Sequence, residues 1–335
     1  MLTSPPTLKT VSVPRPFMGG QVIGNLNRNS NFQKEEKTMV INDTQVKTLL
    51  EAIPYLSEFK GETVVVKYGG NAMLNDELKN SVLQDIVFLQ QAGMRPVVVH
   101  GGGPEINALL KVYNKETKFV AGLRVTDAET MGITEMALVG KVNTDLVARL
   151  NLLGGKAVGL NGKDAKLLMA KKHMADVMEK GQVNLVDIGF VGEVYQVNTE
   201  IINVLLDAGY IPVIAPIGFG KDGETFNINA DMAAGEIAGA LKASKLLMLT
   251  DVRGIYSAYP DENSFISTLN FEKANELIVC GKIDGGMIPK VRSCIAALSG
   301  GAGKAHIIDG REKHSILMEI FSADGVGTEV IKEVK

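Results

Sequence analysis

The chain has no tryptophan and only two cysteines, Cys280 and Cys294, among its 335 residues. The missing indole excludes nothing. The two thiols, separated by a glycine-rich loop and a predicted helix start, suit neither a disulfide framework nor a zinc site, so both are expected as reduced thiols in or near a core. No residue is assigned as a metal ligand. Long apolar runs are also absent. The longest, such as Ile211 to Ile217, are strand-length and far short of the roughly 20 residues that cross a bilayer, which excludes a membrane span. Charge of neither sign is in marked excess: 35 basic residues stand against 38 acidic ones, for a net charge of −3, and no lysine or arginine stripe forms. The electrostatic footprint of a nucleic-acid binder is therefore missing. Two nucleotide motifs are lacking as well. No Gly-x-x-x-x-Gly-Lys-Ser/Thr occurs, since Gly303-Lys304 is followed by Ala305, and the loop Gly69-Gly70-Asn71-Ala72-Met73 is no Gly-x-Gly-x-x-Gly fingerprint. P-loop enzymes and nicotinamide dehydrogenases are disfavoured.

What is present is an ordinary globular composition, 45% hydrophobic and 22% charged, enough for one large core or two moderate lobes. Residues 1–38 carry Pro5, Pro6, Pro14 and Pro16, no acidic residue before Glu35 and no apolar periodicity, and are expected to be a disordered extension. They read either as an organelle transit peptide or as an extension upstream of a natural start at Met39. Within residues 39–60, Val46, Leu49, Leu50, Ile53 and Leu56 recur at helical spacing behind Asn42-Asp43-Thr44, which predicts an amphipathic helix ahead of the first strand.

From there strands and helices alternate. Thr63 to Tyr68 reads as a buried strand ending in Gly69-Gly70, Leu78 to Leu89 as a helix, and Pro96 to His100 as a second buried strand ending in Gly101-Gly102-Gly103. Helices are expected within Ala128–Leu153, strands at Lys156–Leu160 and Ile211–Ala215, and a helix near Asp231. Val183 to Val197 looks like a β excursion with turns at Gly189 and Gly192. A second block opens with the strand Lys245–Thr250 and continues through helices near Glu272–Cys280 and Pro289–Leu298, a strand Lys304–Ile308 and a helix near Ser315–Phe321. This rhythm predicts an α/β fold: an open, mostly parallel sheet sandwiched by helices, in two lobes (61–243 and 244–335), with an extra N-terminal helix.

In such sheets ligands bind beyond the carboxyl ends of the strands. Glycine lets the backbone approach an anion, so Gly69-Gly70 and Gly101-Gly102-Gly103 are candidate phosphate or carboxylate cradles; a tight turn is the plainer explanation for either alone. Lys67 follows three valines and directly precedes the first pair. Burying its ammonium is costly unless an anion meets it, which points to phosphate neutralisation; otherwise it snorkels from a strand end. Lys290, one residue after Pro289, offers a second cation at a helix start. Asp231 could cap the helix it opens, hold both ammonium groups, or do both.

Five motifs in order, Lys67-Tyr68-Gly69-Gly70-Asn71-Ala72-Met73, His100-Gly101-Gly102-Gly103-Pro104, Gly122-Leu123-Arg124-Val125-Thr126, Asn227-Ile228-Asn229-Ala230-Asp231 and Gly285-Gly286-Met287-Ile288-Pro289-Lys290, closely resemble the acetylglutamate kinases of the amino-acid kinase superfamily. The resemblance covers roughly residues 42–335. It implies that Lys67 and Lys290 stabilise the transferring phosphoryl group while Asp231 organises them. Gly102, Gly103, Arg124 and Asn227 would hold N-acetyl-L-glutamate. Gly69 and Gly70, with Thr250, Asp251, Gly254, Tyr256, Lys282 and Asp284, would hold ATP, used with Mg²⁺. Lobe 61–243 would bind acetylglutamate and form a dimer, and lobe 244–335 would bind ATP.

The implied reaction is phosphorylation of the γ-carboxylate in arginine biosynthesis. A glutamate-like carboxyl, with a pKa of about 4.3, is already ionised at neutral pH, so no general base is needed. The helix ahead of the first strand and the tail around His306, Glu319 and Gly325 resemble the arginine-inhibited branch, in which that helix builds a hexamer from dimers and the tail lines an arginine site; Ser322 stands where that branch often has threonine. Otherwise Glu319 would lie on a solvated helix face. Another carboxylate or carbamate kinase of the same fold, or a non-catalytic arginine-sensing module, are the alternatives. A cytoplasmic location is expected, with a plastid the alternative should residues 1–38 be a transit peptide.

Overall fold

The computed structural model describes residues 42–73, 75–179, 182–322 and 325–332. The expectation of a disordered extension over residues 1–38 lies outside the described residues, as does Met39. The chain divides into two compact units, Met1–Val46 and Lys47–Lys335. In the described part of the first, Asn42 and Gln45 exchange side-chain to backbone hydrogen bonds of 2.9 and 3.0 Å, a reciprocal cap that starts α1 (Asp43–Phe59).

The second unit follows the expected alternation. β1 (Thr63–Tyr68) leads to α2 (Asp76–Gln91), and β2 (Arg95–His100) leads to α3 (Gly103–Val112). A short ribbon, β3 (Phe119–Val120) and β4 (Leu123–Arg124), precedes α4 (Ala128–Glu135), which passes through a π-helical segment, Met136–Asn143, into α5 (Thr144–Leu152). After β5 (Ala157–Asn161) come two long strands, β6 (Leu168–Glu179) and β7 (Gln182–Val197). Next are α6 (Glu200–Asp207), β8 (Ile211–Ala215), β9 (Ile217–Phe219), β10 (Thr225–Ile228) and α7 (Ala230–Ala240). The remainder holds β11 (Lys245–Thr250), β12 (Ile255–Tyr256), β13 (Phe265–Ile266), β14 (Thr268–Asn270) and α8 (Phe271–Val279). It closes with α9 (Met287–Gly300), β15 (Lys304–Asp309), α10 (Ser315–Ile320) and β16 (Thr328–Ile331).

Eight strands form one sheet in the order β14-β16-β15-β11-β1-β2-β8-β5. From β15 to β5 all neighbours run parallel, while β16 joins β15 antiparallel and carries β14 at the edge. This is the open, mostly parallel sheet the alternation predicts. Strand order reverses at β1, which has β2 on one side and β11 on the other, so a crevice opens beyond their carboxyl ends.

The strand period of two distributes β1 over two cores. Val65 packs with Val97, Met248, Ala234 and Val291 on the side of α7 and α9, whereas Val64, Val66 and Tyr68 pack with Leu83, Leu146 and Ile316 on the side of α2, α5 and α10. Among the described residues no helix is long and apolar enough to cross a membrane.

Two expectations need correction. β7 runs without interruption through Gly189 and Gly192, and its partner β6 was not anticipated; with β9 and β10 they close into a small barrel. Gly189 has φ +81° and bridges Thr126, while Gly192 pairs with Lys172 and Ile228 and packs so closely that a Cβ would stand 2.5 Å from Phe226 Cβ. Neither is a turn. The second correction concerns the thiols: Cys294 is buried as expected, but Cys280 is exposed.

Candidate active site

Lys67 shares the parity of Val65, so its side chain leaves the sheet toward α7 and α9. Asp231 waits there in the first turn of α7, and Lys290 in the first turn of α9. The cap of α7 is Asn229, whose side chain accepts from Asp231 N at 2.9 Å and Met232 N at 3.1 Å. The capping role considered for Asp231 is thereby corrected, and its carboxylate is left to the lysines. Asp231 Oδ1 lies 2.7 Å from Lys67 Nζ, and Oδ2 accepts a hydrogen bond of 2.8 Å from Lys290 Nζ. Lys67 and Asp231 side chains are each 8% exposed, and that of Lys290 is 15% exposed. Lys67 is therefore no snorkelling strand end. Close approach of the two helices brings the charges together: a Cβ on Gly235 would lie 2.5 Å from Ser293 O, and Gly239 packs on Gly300.

Burial lowers the Lys67 pKa, opposed by the attraction of Asp231 and reinforced by Lys290. Burial alone would raise Asp231, but the two ammonium groups outweigh it and hold the carboxyl below its ordinary value. The site therefore contains one carboxylate and two ammonium groups, a surplus of positive charge suited to an anion.

The glycine loops abut this cluster. A Cβ on Gly69 would stand 3.0 Å from Lys67 Nζ and 3.5 Å from Gly101 Cα, so the loops after β1 and β2 meet at the lysine. At Gly70 (φ +69°), Gly103, Gly285 (φ +47°) and Gly286, no heavy atom of the described residues outside the adjoining chain lies within 4 Å of where a Cβ would be. Gly102 differs, for it rests on Leu138 and Val142 of the π segment, 2.5 and 3.2 Å from its would-be Cβ. Gly103 opens α3, whose first N–H groups lack intrahelical acceptors.

Arg124, 7% exposed, gives Nη2 to Asn107 Oδ1 at 2.7 Å and lies over Phe119, 4.9 Å from the ring centre. Its Nη1 is buried with no hydrogen-bond partner among the described residues, and burial lowers its pKa. Thr126 donates to Arg124 O at 2.8 Å and receives Asn227 Nδ2 at 3.4 Å, which ties Asn227 to the same patch.

On the other side of β1, Thr250 ends β11 and donates to Asp251 Oδ1 at 3.3 Å. Tyr256 donates to Glu262 and packs edge-on against Tyr259 and Phe265. Lys282 and Asp284 are exposed on the approach to α9. Gly254 is enclosed, since a Cβ would lie 2.4 Å from Thr328 Oγ1. Close packing is thus what requires glycine there.

The tail residues also meet. Glu319 is 6% exposed and not on a solvated face: Oε1 lies 2.6 Å from His306 Nδ1, and Oε2 accepts from Val326 N at 2.7 Å and Gly327 N at 3.0 Å. Burial opposes its ionisation, but these partners win and lower its pKa. Gly325 (φ +63°) fits because a Cβ would come within 2.8 Å of the carboxylate.

Sequence reasoning missed Asn107 and Thr126. Asn107 had a signal, since it lies four residues after Gly103 and so on the same face of α3.

The amino acid kinase family profile matches residues 62–309. The chain is similar to the acetylglutamate kinase of Caldanaerobacter subterraneus subsp. tengcongensis, 53% identical over 85% of this chain and 92% of that protein. It is also similar to that of Moorella thermoacetica, 55% identical over 84% of this chain and 96% of that protein. Among solved structures, the N-acetylglutamate synthase of Neisseria gonorrhoeae, complexed with coenzyme A and N-acetyl-glutamate, aligns with a TM-score of 0.72 and 30% identity over 87% of this chain, which spans 64% of the synthase. A carbamate kinase from Giardia lamblia bound to AMP-PNP aligns with a TM-score of 0.59 at 20% identity over 82% of this chain and 99% of that one, a likeness of fold.

Proposed function

The chain belongs to the acetylglutamate kinases of the amino acid kinase family, and from that premise we propose how its residues divide the work. It phosphorylates the γ-carboxylate of N-acetyl-L-glutamate with ATP, a step of arginine biosynthesis. The observation that carries the reading is the buried Asp231 carboxylate held between Lys67 and Lys290 at the carboxyl end of β1.

The γ-carboxylate attacks as the anion it already is. Phosphoryl transfer then depends on in-line positioning and on stabilising charge in the transition state. Lys67 and Lys290 place ammonium groups where that charge collects, and Asp231 fixes both without neutralising the pair. Arg124, its Nη1 unclaimed and its plane set by Asn107 and Phe119, takes the substrate α-carboxylate as a fork. Asn227 adds a polar contact, and the N–H groups of Gly102 and Gly103 hold the substrate carboxylate.

The open space at Gly70 and Gly285-Gly286 fits phosphate oxygens. Gly69 abuts the same loop, and Thr250, Asp251, Tyr256, Lys282 and Asp284 surround the nucleoside side, with Gly254 shaping the loop behind them. Bound with ATP, Mg²⁺ would neutralise phosphate charge.

Residues 61–243 hold acetylglutamate and form the dimer, and residues 244–335 hold ATP. Arginine binds at a site lined by His306, Glu319 and Gly325. Leu49, Leu50 and Ile53, exposed on α1, support its role as the helix that assembles dimers into a hexamer. The enzyme works in the cytoplasm. The test is ATP-dependent formation of an acyl phosphate from N-acetyl-L-glutamate, trapped with hydroxylamine, with and without arginine. Suppression by arginine supports both sites, indifference removes the regulatory one, and no product removes the kinase assignment.

A further inference from the structure

His100 and Asn143 belong to no role assigned so far, yet they form a buried network directly beneath the loop after β2. Parity places His100 on the side opposite Lys67, with Tyr68, Val66 and Val98, where the π segment lies. His100 is fully buried and Asn143 is 4% exposed. His100 Nδ1 lies 2.8 Å from Gly101 O, and Nε2 lies 3.1 Å from Asn143 Nδ2. The same Nδ2 donates to Val213 O at 2.8 Å and lies 3.4 Å from Leu160 O.

These partners determine the protonation state twice over. A carbonyl facing Nδ1 requires a proton there. The two strand carbonyls fix the Asn143 amide with its NH₂ toward the ring, so Nε2 must present its lone pair. The imidazole is neutral in the Nδ1–H tautomer, and burial, only partly offset by the Gly101 bond, pushes its pKa down to about 4.

We propose that His100 and Asn143 are positioning residues that set the direction of the anion-binding N–H of Gly102. Gly101 C=O and Gly102 N–H belong to one planar trans peptide, and in that plane they point in opposite directions. Holding Gly101 O toward the sheet turns the Gly102 N–H away from it, toward the crevice. A second, independent feature acts on the same peptide. The π turn brings Leu138 and Val142 under Gly102 and Asn143 under His100, and Gly159 leaves the room this requires, since its would-be Cβ lies 2.1 Å from Asn143 Oδ1. The network is thus a brace for one hydrogen-bond donor. It deepens the assignment of Gly102 to acetylglutamate and rests on it.

Two measurements test the brace. Long-range ¹⁵N NMR of the full chain without substrate, with His100 assigned by its absence in His100→Gln, should show the Nδ1–H tautomer with no titration between about pH 5.5 and about pH 8, where an ordinary histidine would titrate. An Nε2–H tautomer, or a titrating ring, overturns the proposal whatever the substrate. In steady-state kinetics His100→Leu should raise KM for N-acetyl-L-glutamate roughly tenfold or more, the scale of one misdirected hydrogen bond to a charge, while KM for ATP moves less than about twofold. His100→Gln, which can donate to Gly101 O and accept from Asn143, should recover most of the loss. Folded His100→Leu with an unchanged KM overturns the brace. Wild-type protein inactive on acetylglutamate overturns the substrate reading instead and leaves the NMR result to decide on the brace.

Discussion

Lys67 Nζ lies 2.7 Å from Asp231 Oδ1, and both side chains are almost closed to water. A buried ion pair of this kind contributes little net stability once desolvation is counted, but losing one partner leaves an uncompensated charge. Asp231→Asn keeps the shape and removes the charge that balances Lys67 and Lys290. Denaturant unfolding should show a loss of about 3–5 kcal/mol, together with a large fall in kcat. Unchanged stability would mean that the lysines find compensation elsewhere.

Lys67→Ala should lower kcat by roughly 10²–10³, the scale found when one preorganised transition-state donor is removed, with little change in fold by circular dichroism. Unaltered turnover in the folded variant would remove Lys67 from the mechanism.

The depressed Lys67 pKa has a consequence at alkaline pH. Its proton leaves at lower pH than that of an exposed lysine, about 10.4, so kcat should decline on the alkaline side before that value, and Lys67→Arg should shift the limb upward at reduced kcat. The unfolded chain holds that proton more tightly than the folded one. The Lys67 contribution to stability therefore becomes more favourable as pH rises from the folded toward the unfolded pKa. Asp231 behaves oppositely: its contribution is fully present above its unfolded pKa and is lost as pH falls through the depressed folded value. Unfolding free energies across the acid and alkaline ranges check both signs.

Asn107 presents Oδ1 to Arg124 at 2.7 Å and so helps to set the guanidinium plane. Asn107→Ala should raise KM for acetylglutamate severalfold and leave kcat and KM for ATP near their original values. An equal loss in both KM values would point to general damage.

Gly235 sits where α7 and α9 come closest, with no room for a Cβ against Ser293 O. Gly235→Ala should cost about 1–3 kcal/mol, the range for overpacking, and lower kcat by parting Asp231 from Lys290. Full activity in a destabilised variant would show that the helices can separate without disturbing the pair.

The strand-end lysine and the glycine loops made much of the site legible in the sequence. Three valines before Lys67 specify a buried strand, but an unbroken apolar run does not tell its two faces apart, and only the fold shows that Lys67 faces the helices carrying Asp231 and Lys290. The barrel was not legible, because β6 contains Lys171, Lys172 and His173 and lacks a continuous apolar run. Gly189 and Gly192 imitate turns, yet one answers the close backbone of Thr126 and the other the side chain of Phe226. The burial of Glu319 depends on the backbone N–H groups of Val326 and Gly327, and the brace under Gly102 depends on a π turn, neither of which a residue pattern encodes.

The most direct measurement compares wild type and Lys290→Met in hydroxylamine-trapped turnover with N-acetyl-L-glutamate, aspartate, glutamate and carbamate. Wild type should form product rapidly from N-acetyl-L-glutamate alone, and the variant should nearly lose that turnover. Preferred turnover of another acceptor, or wild-type rates without Lys290, would contradict the proposed function.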